Sequence, residues 1–158
     1  MSGLLSACTE DPRREANVFR YFTPAHVDTI DPRAIELTEE IFGVELVEHS
    51  EAWGAVAVFP FDRDDFDGAF DGEFDVNGQA HIGRCTPWIW YVTDSPLALA
   101  HEMGHAYGLA HVDTPCNIML PELSCEDGSY EVTDEQIRTV RDESWDQEEV
   151  CEILSKSQ

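Results

Sequence analysis

The chain has almost no lysine. Lys156 is the only one, and 9 basic residues face 33 acidic ones, a formal net charge of -24. That shortage excludes a nucleic-acid surface, because holding a phosphate backbone takes clustered lysine and arginine, and no such cluster occurs in this sequence. Long apolar runs are missing as well. No stretch reaches the roughly 18 apolar residues that a membrane-spanning helix needs, and no internal repeat is visible. What the chain does have is aromatic bulk: four Trp, eight Phe and four Tyr in 158 residues. That is enough for one globular domain with one real core. The acidic, lysine-poor surface keeps such a domain soluble and suits salty surroundings, where its self-repulsion is screened.

Five cysteines, Cys8, Cys85, Cys116, Cys125 and Cys151, leave one over. Cys8 lies in LSAC, which resembles the lipobox of bacterial lipoproteins, whose cysteine carries the lipid. Only MSGL precedes it, where a full export signal needs a charged start and a longer apolar stretch. The expectation is a truncated or re-started lipoprotein, with residues 1–16 a flexible tether. With Cys8 set aside, four cysteines allow two disulfides in three pairings. Cys116 with Cys125 and Cys85 with Cys151 is the favoured pairing, and it fits an oxidising compartment. Four buried free thiols in a cytosolic protein are the competing reading.

Local patterns place the elements. ANVFRYF (16–22) has the β-branched and aromatic content of a strand. DPRAIELTEEIF (31–42) opens with Asp31 as cap and Pro32 in the first turn, and Gly43 ends it, a helix with start and stop signals. VELVEHS (44–50) alternates like a strand, and GAVAVFPF (54–61) reads as a buried one. QAHIGR (79–84) and PWIWYV (87–92) follow as two further strands. SPLALAHEMGHAYG (95–108) is a helix with Ser95 as cap. Residues 112–132 read as loop, and Thr133 and Gln136 have the spacing of a capping box that opens a last helix. Strands and one helix first, then two helices, make an α+β layout.

Two segments invite metal chemistry. FDRDDFDGAFDGEFDVNG (61–78) holds seven acidic residues. It fails the EF-hand pattern: with Gly68 at the sixth loop position, the first and twelfth fall on Arg63 and Phe74, which are poor ligands. A looser Ca²⁺ site over residues 62–75 stays open beside the alternative of a solvated acidic loop. HEMGHAYGLAH (101–111) is more specific. His101 and His105, four apart on a helix, put both imidazoles on one face, where neutral histidines bind Zn²⁺ at about 2.0–2.1 Å. Glu102 is one step around the helix, placed to reach a water beside the metal without being a ligand. Gly108 lets the chain leave by a left-handed turn and bring His111 round. Three protein ligands leave a fourth position open, the arrangement of a catalytic rather than a structural zinc. His26, His49 and His81 show no such pattern and read as structural or surface residues.

HEMGHAYGLAH matches H-E-x-x-H-x-x-G-x-x-H, the signature of the metzincin zinc peptidases, at every specified position. In CNIML, Met119 looks like the methionine of the metzincin Met-turn, the apolar floor below the ligands. The order of elements is closest to the matrixin branch, with the motif match covering about residues 95–140. The resemblance implies a small twisted mixed β-sheet, an active-site helix, a Met-turn and a C-terminal helix, in one catalytic domain over 17–158. It implies one Zn²⁺ on His101, His105 and His111, and peptide hydrolysis by a metal-activated water with Glu102 as general base. It also implies an extended peptide lying along an edge strand, with QAHIG (79–83) the candidate, and the 112–132 loop as a wall of the specificity pocket. Some metzincins carry a tyrosine after the Met-turn methionine. Here Leu120 follows Met119, and Tyr130 stands further on. No cysteine-switch motif is present, and Cys8 as a zinc-blocking thiolate ranks below the lipid anchor. Two other functions fit the residues: a non-proteolytic peptide binder, against which the intact Glu102 argues, and a zinc amidase acting on cell-wall peptides. The expected protein is a monomer, extracytoplasmic, secreted or anchored to the surface, touching membrane only through a lipid.

Overall fold

A computed structural model describes residues 18–25, 27, 29–64, 77–82 and 85–156, without the side chains of 144–148. Cys8, His26 and nearly all of the acidic segment considered for Ca²⁺ lie outside the described residues. The elements run β1 (Val18–Phe22), α1 (Pro32–Phe42), β2 (Glu45–Glu48), β3 (Val56–Phe61), β4 (Gly78–His81), β5 (Trp88–Val92), α2 (Pro96–Ala106) and α3 (Asp134–Lys156). The α+β class and the order of elements are those the sequence implies.

The five strands form one mixed sheet in the order β2-β1-β3-β5-β4. β1 pairs in parallel with both β2 and β3, and β3 pairs in parallel with β5. Among the described strands only β4 runs antiparallel, with Gly78 opposite Tyr91 and His81 opposite Trp88, and it stands at one edge of their sheet. β3 tolerates Pro60 because β1 reaches no further than Ala57, leaving β5 as the one neighbour at that point among the described strands.

β3 alternates buried and half-buried residues rather than being buried throughout. One face, with Val56 and Val58, joins the core beneath the helices. The other carries Phe59 and Phe61, set edge-on against Trp88 and Trp90. On the inner side Phe19 stacks on Tyr107 with centroids 4.1 Å apart and tilts against Phe42 at 5.5 Å. The Tyr107 hydroxyl accepts from Arg20 N at 3.1 Å, which ties the end of α2 to β1. Phe19, Phe42 and Tyr107 thus bind β1, α1 and α2 into one buried cluster.

Helix ends follow their capping chemistry, with one exception. The Asp31 carboxylate accepts from Arg33 N at 2.9 Å, and Gly43 closes α1 in the left-handed region at φ 63°. Thr133 and Gln136 make both bonds of the capping box, 3.1 Å and 2.9 Å. Ser95 makes no side-chain cap on α2. Pro96 removes one N–H, and the Ser95 carbonyl instead accepts from Ala98 N at 2.9 Å, closing a turn that starts α2 without the hydroxyl. α2 ends at Ala106, two residues earlier than the sequence suggests, because Gly108 at φ 93° turns the chain away.

Both favoured disulfides are present. Cys85–Cys151 joins the approach to β5 with α3 across 66 positions of sequence, and Cys116–Cys125 closes a short loop across 9.

Candidate metal centre

α2 carries the first two histidines where the helical repeat puts them, on one face a turn apart. His101 is buried and His105 half-buried. At the end of α2 the chain reverses through Gly108, with Leu109 N donating to the Gly104 carbonyl at 2.9 Å. Three residues later His111 faces the helix. The Nε2 atoms of His101, His105 and His111 form a near-equilateral triangle with sides of 3.1, 3.1 and 3.2 Å.

Hydrogen bonding on the far side of two rings fixes what those Nε2 atoms can do. His101 Nδ1 stands 2.7 Å from the Ile118 carbonyl and His105 Nδ1 stands 2.8 Å from the Leu109 carbonyl. A carbonyl only accepts, so each Nδ1 carries the proton and each Nε2 a lone pair. Two lone pairs 3.1 Å apart cannot bond each other; they need a shared cation. A tetrahedral zinc with bonds of about 2.0–2.1 Å holds its nitrogens roughly 3.3–3.4 Å apart, close to the triangle found here. The donor set therefore fits Zn²⁺, and the two carbonyls supply the outer bonds that orient imidazole ligands.

Burial sets the charge state of the neighbours. It pushes His101 down to about 4, against the opposing bond to Ile118. His105 is lowered too, by burial first. Both rings thus stay neutral, as metal ligands must. Glu102 is 6% exposed, and burial pushes its carboxyl up to about 7. A carboxyl held near neutrality can both accept and return a proton.

Met119 is fully buried, and its sulfur lies against Gly104 of α2, so close that a Cβ on Gly104 would stand 2.5 Å away. Its loop is braced by a pair of amides. Asn117 and Gln136 bond each other reciprocally at 2.8 and 3.2 Å, and Asn117 Oδ1 also accepts from Met119 N at 2.9 Å. Val112 N donates to the Met119 carbonyl at 3.1 Å, linking this turn to the segment that carries His111.

A cavity of about 600 Å³ opens over the triangle. Gly78, Gln79 and Ala80 of the β4 edge line one side, and Pro121, Glu122 and Leu123 of the loop after Met119 line the other. A second hollow of about 510 Å³ lies on the outer sheet face among Phe59, Phe61, Trp88 and Trp90; none of its described lining residues titrates. Other sequence candidates lie apart from the centre. His81 stacks on Trp88 at 5.1 Å, and His49 N donates to the Tyr21 carbonyl. Tyr130 turns its hydroxyl to Cys125 N at 2.8 Å, inside its own loop. Sequence reasoning missed the Ile118 and Leu109 carbonyls, Asn117, Gly104 and Gly78. A backbone acceptor leaves no trace in residue type, and Gln136 was legible as a cap but not as the partner of Asn117.

A family model for the matrixin peptidases matches residues 48–142, more than half of the chain. No curated protein matches it.

Proposed function

Since the chain belongs to the matrixin family of zinc peptidases, we propose that it is an endopeptidase that cleaves extended peptides at the centre built by His101, His105 and His111. The observation that carries this reading is the triangle of lone-pair Nε2 atoms beside a buried Glu102. A Zn²⁺ ion there supplies Lewis acidity to the attacking water and to the scissile carbonyl. Glu102 takes the proton from that water as the water attacks. It then delivers the same proton to the amine nitrogen as the C–N bond breaks, so that one group serves as base and then as acid. The β4 edge, which no further strand covers among the described residues, offers its backbone groups to the substrate in the manner of strand addition. Pro121, Glu122 and Leu123 face the side chain next to the cleaved bond. Met119 and its amide brace keep α2 and the turn in register, so that the ligands need not rearrange on binding.

The two disulfides and the matrixin domain point to an extracellular protein. The finer reading, attachment to the surface by a lipid on Cys8, rests on LSAC alone; an unlipidated Cys8 in the mass spectrum of the native protein would end it. The peptidase itself is tested by zinc analysis and a quenched-peptide library, with wild type beside Glu102→Ala. One zinc in each protein and cleavage by wild type only is the expected result. Wild-type rates in Glu102→Ala would remove Glu102 from its role. Zinc in both and cleavage in neither would favour a peptide-binding protein.

A further inference from the structure

Gly78 opens β4 at the rim of the cavity. Its backbone lies outside the left-handed region, so conformation does not demand glycine here. Space does. A Cβ at this position would stand 2.8 Å from Glu102 Cγ, 3.1 Å from Glu102 Oε1 and 2.9 Å from the Trp90 carbonyl oxygen. Glu102 is 6% exposed, and among the described residues no hydrogen bond or ion pair reaches its carboxyl. Packing therefore decides where this carboxyl sits, and the backbone of Gly78 is the surface it packs on.

We infer that Gly78 is a positioning residue for Glu102: the missing side chain leaves the slot in which the general base is seated. The inference rests on the role proposed for Glu102. It also makes β4 serve two purposes, since the strand edge that would pair with substrate seats the proton carrier as well. A methyl group at 78 drives the carboxyl off the reacting water while leaving the three histidines, which lie on α2 and beyond Gly108, where they are.

The test uses the full chain in four forms: wild type, Gly78→Ala, Glu102→Ala and the double variant. Each is measured for zinc content, kcat and KM on a quenched peptide, and thermal midpoint after metal removal. Gly78→Ala keeps one zinc and a KM within about threefold of wild type, while kcat falls on the order of 100-fold, the scale of a misplaced catalytic group. Because Glu102→Ala removes both Cγ and the carboxylate, adding Gly78→Ala to it leaves its zinc content unchanged. Gly78→Ala lowers the metal-free midpoint more when Glu102 is intact than when Glu102→Ala is already in place. Should Gly78→Ala not fold, the double variant still does. Equal midpoint losses in both backgrounds, a kcat within twofold of wild type (roughly, by the same measure), or a double variant that also fails to fold would each overturn the inference. Equal losses would assign the glycine to the Trp90 carbonyl instead. A wild type that binds zinc but cleaves nothing would count against the peptidase alone, because the midpoints report the seating of Glu102 without any turnover.

Discussion

Glu102 is a carboxyl with no countercharge among the described residues, kept 6% exposed beside neutral histidines. Its folded pKa of about 7 lies above the ordinary 4.5. A raised carboxyl pKa means that the folded state binds the proton more tightly than the unfolded state. Stability is therefore greatest below the unfolded value and declines as pH rises through about 7. In the metal-free protein, Glu102→Gln removes that decline. The variant is expected to exceed wild type at pH 8 by on the order of 2–3 kcal/mol and to match it at pH 4. Urea unfolding of both proteins after chelation, at the two pH values, checks this. An equal difference at both would mean that the carboxylate is solvated when charged. His101 shows the opposite sign: burial lowers it to about 4, so its neutral form is favoured and protonation costs stability as pH falls.

At the scale of elements, the turn that carries Met119 depends on one amide. Asn117 is 3% exposed, accepts from Met119 N and pairs with Gln136 across the start of α3. Asn117→Ala leaves a buried N–H without its acceptor and removes a partner from Gln136. The expected loss is about 1–3 kcal/mol, together with weaker zinc binding, because the Ile118 carbonyl that orients His101 belongs to the same turn. Urea unfolding and competition with a chelator measure the two effects. A variant with wild-type stability and zinc affinity would show that the turn holds without its brace. This element also marks the limit of what the sequence discloses. The ligand spacing, Gly108 and the capping box were legible because each obeys a local rule of helix geometry or capping, and Met119 because CNIML resembles a metzincin Met-turn. Asn117 with Gln136, and Gly78 with Glu102, were not, because they join residues that only the folded chain brings together. Ser95 failed as a cap for a local reason: the turn bond to Ala98 had already taken the role.

For the whole molecule the dominant fact is the charge of -24 on 158 residues. In the ion pairs of Arg33 with Glu36, Arg63 with Asp94 and Lys156 with Glu152, both partners are more than a third exposed. Exposed pairs of this kind add little, and 9 basic residues cannot neutralise 33 acidic ones. The compact state therefore carries an uncompensated repulsion that the core and the two disulfides must outweigh. The unfolded chain spreads the same charges further apart, so salt relieves the folded state more. Between about 0.1 M and 1 M salt the screening length shrinks from roughly 10 Å to 3 Å, shorter than most separations across a domain of this size. The thermal midpoint is expected to rise over that range. The chloride salt should be compared with an equal ionic strength of guanidinium chloride kept below denaturing levels, because screening is common to both salts while preferential exclusion is not. A rise shared by both salts at low concentration assigns the effect to screened repulsion. A midpoint indifferent to salt would mean that the acidic side chains are spaced widely enough not to oppose folding, and that their abundance serves solubility alone.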